Sequence, residues 1–185
     1  RLPLANLALP ALRHLRPDEF QQLSQALQWL IESDGQRDMF EFVLQKIVRR
    51  HLASQLGETR SASNQYHTLT PLVRECAVVL SALAHVSSSN ADAVATAFRT
   101  GVPHLRTQAD GLQLLPRAAC GLAQLDTALD RLALAVPQIK KPVLEACAHV
   151  VGADGWIQER EAELLRAIAE TLDCPIPPFV EMTDS

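Results

Sequence analysis

Two stretches of the sequence place carboxylates at spacings suited to holding a hard cation. Asp34-Gly35-Gln36-Arg37-Asp38-Met39-Phe40-Glu41 is matched, from position 34 to 154 and from 41 to 161, by Asp154-Gly155-Trp156-Ile157-Gln158-Glu159-Arg160-Glu161, a constant offset of 120. In each copy a Glu stands seven residues after the Asp and opens an amphipathic helix. Carboxylate oxygens around a tight turn are the ligands that Ca²⁺ and Mg²⁺ prefer. The candidate ligands are Glu32, Asp34, Asp38 and Glu41 in the first copy and Asp154 and Glu161 in the second.

The spacing overlaps only the second half of an EF-hand loop. If Gly155 takes the place of the loop glycine, Glu161 takes that of the bidentate Glu, but Val150 and Gly152 stand where the first ligands belong. In the first copy Leu30 and Glu32 occupy those places. Ca²⁺ requires roughly six to eight oxygens, which neither copy supplies alone. Turn chemistry also accounts for the pattern: Gly supplies a left-handed turn, Asp accepts from backbone donors, and Glu in a first helical turn meets the positive end of the helix dipole. Asp110-Gly111 is an internal control, because Arg117 stands seven residues after its Asp and the carboxylate is missing.

Other chemistry finds little support. There is no Gly-x-Ser-x-Gly elbow and no Gly-rich phosphate loop. Cys76, Cys120, Cys147 and Cys174 form no C-x-x-C pair, and Cys76 and Cys147 fall at helix-core spacing, as buried structural thiols would. None of His14, His51, His67, His85, His104 and His149 has a second His four residues away. His149 could partner Asp154 or Glu145, and a surface or capping role is expected of it. Trp29 and Trp156 flank the two turns and are expected to pack the hairpins together; an exposed Trp156 would mark a docking surface instead.

The elements that position these residues are helical. Arg16-Pro17-Asp18-Glu19 starts a helix whose face carries Phe20, Leu23, Leu27, Leu30 and Ile31. A second helix, about 38–56, buries Phe40, Val43, Leu44, Ile47, Val48 and Leu52, and the polar stretch 57–68 is expected to be a mobile loop. Thr70-Pro71 predicts an N-cap and first-turn proline for a helix with the stripe Leu72, Cys76, Val79, Leu80 and Leu83. Ser87 to Asn90 stops it and caps a helix of about 91–100, with Gly101 just past its C-terminus. A long helix is predicted over 118–136, another from Pro137 that tolerates Pro142, and a last one over about 158–172. Sustained alternation is absent, so the fold class is all-α, a bundle of about seven helices with two pseudo-repeated Asp-Gly hairpins at about 17–56 and 137–173 in a single domain, 1–185.

Composition agrees with that class: an apolar share of 48% argues against a disordered chain, and few aromatics, 4%, with many Ala and Leu argue against a β-rich one. A net charge of −4 without a basic stripe argues against nucleic acid. No apolar run reaches the roughly 18 residues needed to span a bilayer, and no secretory signal pattern opens the chain. A soluble fragment in a reducing, cytoplasmic compartment is expected; beginning at Arg1, it reads as part of a longer protein.

The two Asp-Gly units, Leu30 to Glu41 and Val150 to Leu165, resemble the TerB-like (tellurite-resistance-type) helical domain. Arg37 departs from the pattern where Ile157 fits it. The resemblance implies a seven-helix bundle with an acidic patch for a divalent metal and no enzymatic activity. Leu7 to Arg13, Phe40 to Gln45, Val48 to Leu52 and Leu165 to Pro175 look like the C-terminal region of some bacterial HtpX-like membrane zinc metallopeptidases. That likeness implies a non-catalytic interaction or regulatory domain, with zinc, the H-E-x-x-H site and the inner-membrane segments in other parts of the parent chain and the parent protease domain or another protein as partner. The alternative is a free-standing TerB-like metal-binding stress-response protein.

Overall fold

Apolar residues at helical spacing, punctuated by Pro, Gly and Asn, generate a set of packed helices. The computed structural model describes residues 65–105 and 112–174, the side chains of 159 and 160 excepted, together with Asp18, Glu19, Gln22, Gln25, Phe42 and Lys46 of the N-terminal part. Five α-helices lie in the continuous stretches: α1 (Val73–Ser87), α2 (Ala91–Gly101), α3 (Leu122–Ala133), α4 (Pro137–Val151) and α5 (Glu159–Thr171). Among the described residues there is no strand, only an isolated parallel bridge between Tyr66 and Ala135. The class is all-α.

Helix α1 is the centre. The expected stripe of Leu72, Cys76, Val79, Leu80 and Leu83 is buried, and so is every residue from Glu75 to Ala84, because α2, α3 and α4 all pack against it. Each fully buried Leu or Val contributes about 1.5–3 kcal/mol of transfer free energy, so this helix anchors much of the core. Its start differs from expectation. Pro71 lies in a 3₁₀ turn, Thr70–Leu72, that precedes the α-helix, and no side chain caps it.

Asn90 behaves as predicted: its side-chain oxygen accepts from the backbone N–H of Asp92 (2.9 Å) and Ala93 (3.1 Å), closing two orphan donors of α2. Gly101 does not. Instead of a left-handed residue beyond the helix, it is the last residue of α2. A Cβ there would stand 2.5 Å from Val150 Cγ2 and 2.7 Å from the Ala146 carbonyl oxygen, so the missing side chain allows α2 to lie directly on α4.

The helix expected over 118–136 is shorter at both ends. After Pro116 the chain makes a separate 3₁₀ turn, Arg117–Ala119, and Gly121 in an extended conformation begins α3 one residue later. At the other end Tyr66 intervenes: Gln65 N–H donates to Leu134 O (2.8 Å) and Val136 N–H donates to Tyr66 O (3.0 Å). Val136 thereby becomes the N-cap of α4, and the C-terminal end of the loop expected over 57–68 is pinned. Helix α4 starts at Pro137 and runs through Pro142, as predicted.

Two polar links tie the periphery to α1. Arg131 of α3 pairs with the buried carboxylate of Glu75, reaches Tyr66 Oη at 3.3 Å, and lies 5.5 Å from the Tyr66 ring centroid. Leu115 N–H donates to Ser81 Oγ (2.9 Å) while its carbonyl meets His85 Nε2 (2.9 Å), which docks the segment leading to α3 onto the same helix. In the N-terminal part, Phe42 is helical and packs partly on the core, although apolar spacing left it off the buried face. Lys46, one helical turn on, pairs with Asp130 at 2.7 Å and with Asp126.

Gly101→Ala tests the close approach. Ala favours a helix intrinsically, yet the clash with backbone and with Val150 should outweigh that and cost about 1–3 kcal/mol, read as a lower denaturation midpoint; a midpoint equal to or above wild type would contradict the packing argument.

Candidate functional site

The second Asp-Gly unit is the turn of the α4–α5 hairpin. Helix α4 ends at Val151, and Gly152 N–H donates to Ala148 O at 2.9 Å. Gly155 N–H then donates to Gly152 O at 3.0 Å, with Gly155 at φ +85°, a conformation that strains any residue carrying a Cβ. Asp154 is exposed, and its Oδ1 accepts from Trp156 N–H at 3.0 Å. Glu161 is buried in the first turn of α5, where its Oε2 accepts from Gln158 N–H at 2.9 Å while the Gln158 side chain accepts from the Glu161 backbone. This reciprocal pair is a capping box. Both carboxylates expected as ligands therefore hold backbone donors of the turn. Among the described residues, neither joins a grouping of three potential ligand atoms. Glu32, Asp34, Asp38 and Glu41 lie outside the described residues.

Trp156 does not pack the hairpin. It is 80% exposed at the tip of the turn, next to Ile157 at 44%. The backbone around it is held by Asp154 and by the capping box, so two apolar side chains project from a braced turn. Trp29 lies outside the described residues.

A different constellation forms on the outer face of α4. Glu145 and His149, one helical turn apart, are exposed, and the 3₁₀ turn Val102–Leu105 that follows α2 lays His104 beside them. The His104 and His149 rings stack with centroids 3.5 Å apart and planes 8° apart, and His104 Nδ1 is 3.9 Å from Glu145 Oε1. One nitrogen or oxygen from each residue lies within 4.8 Å of the others. The sequence carries half of this signal: of the two partners it offers His149, Asp154 and Glu145, the structure brings Glu145, four residues before it on the same helix. His104 stands 41 positions before Glu145, and nothing in local spacing announces it.

The four cysteines are free thiols. Cys76 and Cys147 are in the core as expected; burial, with Glu75 adding to it, pushes the Cys76 thiol up to about 12, and burial, with Cys76 near, pushes Cys147 up as well. Cys120 is also raised by burial, against a smaller opposing effect of Arg117. Such thiols are poor nucleophiles at neutral pH. No described helix is long and apolar enough to cross a membrane.

Because these thiols stay neutral in the fold, their effect on stability is present below about pH 9 and is lost as pH climbs from there towards about 12, the range in which only the unfolded chain becomes thiolate. Unfolding free energies from urea titrations at pH 8 to 10.5 should fall, by up to about 1 kcal/mol per pH unit per thiol, and Cys76→Ala with Cys147→Ala should flatten the slope. An unchanged slope would place the pH dependence elsewhere. Comparison with protein-family models, with curated proteins and with solved structures returns no match to this chain.

Proposed function

We propose that this chain is a non-catalytic interaction module that docks a protein partner through the tip of the Asp154-Gly155 hairpin. The observation that carries the reading is the exposure of Trp156 beside Ile157 on a turn braced by backbone hydrogen bonds. A large aromatic side chain held in water on a rigid element is the usual anchor of a protein interface, since its burial contributes much and its immobilisation costs little. Support for a non-catalytic role comes from the raised thiols and from the two turn carboxylates already engaged with backbone.

In this reading the module is TerB-like, a bundle of about seven helices in which the hairpin of 17–56 repeats that of 137–173. It is appended to a bacterial membrane zinc metallopeptidase of the HtpX-like kind, on the cytoplasmic side, and Trp156 docks the protease domain. Sequencing the gene upstream of Arg1 tests the assignment: an H-E-x-x-H helix among apolar segments of about 20 residues supports it, and a start codon next to Arg1 leaves the free-standing TerB-like protein. In the joined polypeptide, Trp156→Asp should release the hairpin, read as faster amide exchange over 152–158 without a change in the melting temperature of the module; unchanged exchange would overturn docking at this tip.

A second reading, a Ca²⁺ or Mg²⁺ site shared by the two Asp-Gly turns, is favoured by the exposure of the Asp154 carboxylate and by the recurrence of carboxylates at the same offset. Calorimetric titration should then show saturable binding that Asp34→Asn or Asp154→Asn abolishes, whereas no heat and no melting shift at millimolar cation assigns the turns to architecture.

A further inference from the structure

We infer that His104, Glu145 and His149 form a site for one divalent transition-metal ion, with Zn²⁺ the best match. The site is separate from the Asp-Gly turns and does not depend on the docking reading above.

Placement comes from backbone packing. Gly101 brings the end of α2 onto Ala146 and Val150, the two buried α4 residues that immediately follow Glu145 and His149 in sequence. The chain then enters the 3₁₀ turn with Pro103, and buried Leu105 fixes the turn's far end against the core. His104 is held between these anchors and faces the Glu145–His149 side of α4. Three side chains from two elements thus converge without a long flexible loop between them.

The donor set selects the ion. Two imidazole nitrogens and one carboxylate oxygen suit Zn²⁺, Co²⁺ or Ni²⁺, whereas Ca²⁺ and Mg²⁺ favour shells made of oxygen. Three protein ligands leave one tetrahedral position to water, which the outward-facing location of the cluster allows. Ligand bonds of about 2 Å put tetrahedral donors roughly 3–3.5 Å apart, and the present donors lie within 4.8 Å of one another, so side-chain rotation suffices to close the shell. Imidazole lone pairs lie in the ring plane, so the stacked rings, now 8° from parallel, must turn out of the stack to meet at one ion. Binding therefore carries its own structural signature.

Titration of the metal-free chain with Zn²⁺ against a chromogenic chelator is expected to show one equivalent bound, with Ca²⁺ and Mg²⁺ failing to compete at millimolar concentration. His104→Ala, His149→Ala and Glu145→Gln should each weaken it by about tenfold or more, whereas His67→Ala, at an exposed position away from the cluster, should leave it intact. Melting curves in chelator confirm that each variant folds, and the exposed Glu145→Gln change serves where a His variant does not. With Co²⁺ the visible absorption of a four-coordinate nitrogen and oxygen site should appear, and the ring C–H resonances of both His104 and His149 should shift together. Failure of the wild-type chain to bind Zn²⁺ saturably would overturn the site, as would binding unaffected by the folded cluster variants or a Co²⁺ spectrum showing thiolate charge transfer, which moves the ion to cysteine.

Discussion

Helix α1 has no solvent face along its central turns, and this burial sets the conditions that the other elements satisfy. A helix apolar nearly all round has to be enclosed, so α2, α3 and α4 surround it. An unpaired buried polar atom costs about 1–3 kcal/mol, so most of its few polar groups are met within the protein, Glu75 Oε2 being left without a hydrogen bond among the described residues. Glu75 is met by Arg131, itself fixed by Tyr66, and Ser81 and His85 are met by the backbone of Leu115. Arg131 is only partly covered, so its pairing with Glu75 matters more for locating α3 and the Tyr66 segment than for net stability. The same contact explains why α3 ends where it does: the chain leaves the helix to exchange hydrogen bonds with Tyr66.

Two glycines work in physically different ways. Gly155 is needed for its conformation, a positive φ in open space at the hairpin turn. Gly101 has an ordinary helical backbone and is needed for its lack of volume, since backbone and side chain of α4 occupy the space a Cβ would take. The first shapes the tip that carries Trp156. The second sets the distance between α2 and α4, and with it the position of His104. The tip is thus a product of its own turn, and the His104 cluster a product of how α2 packs on α4.

Carboxylates at a regular spacing turn out to have local structural work at the second hairpin. Asp154 and Glu161 accept from main-chain donors that the turn and the start of α5 would otherwise leave unmet. Oxygen ligands for a cation and hydrogen-bond acceptors for a helix start are the same atoms in similar positions, so spacing alone cannot separate the two roles. Imidazoles gathered from distant positions are a more selective signal, because neither His104 nor His149 holds up the backbone of its own element in this way.

Helix periodicity determined a good deal from sequence alone: the all-α class, the buried stripe of α1, the Asn90 cap, the helix opened by Pro137, and the burial of Cys76 and Cys147. These follow from interactions within about one helical turn, or from the simple need to bury an apolar face, and both are written in neighbouring residues. The ends of α3, the steric use of Gly101, the exposure of Trp156 and the meeting of His104 with Glu145 and His149 were decided only by the tertiary structure. The α3 boundary, the use of Gly101 and the His104 cluster each depend on a residue far along the chain. Tyr66 stops a helix about 70 positions away, and Val150 and Ala146 give Gly101 its meaning. Packing brings such partners together at distances that a linear pattern does not encode.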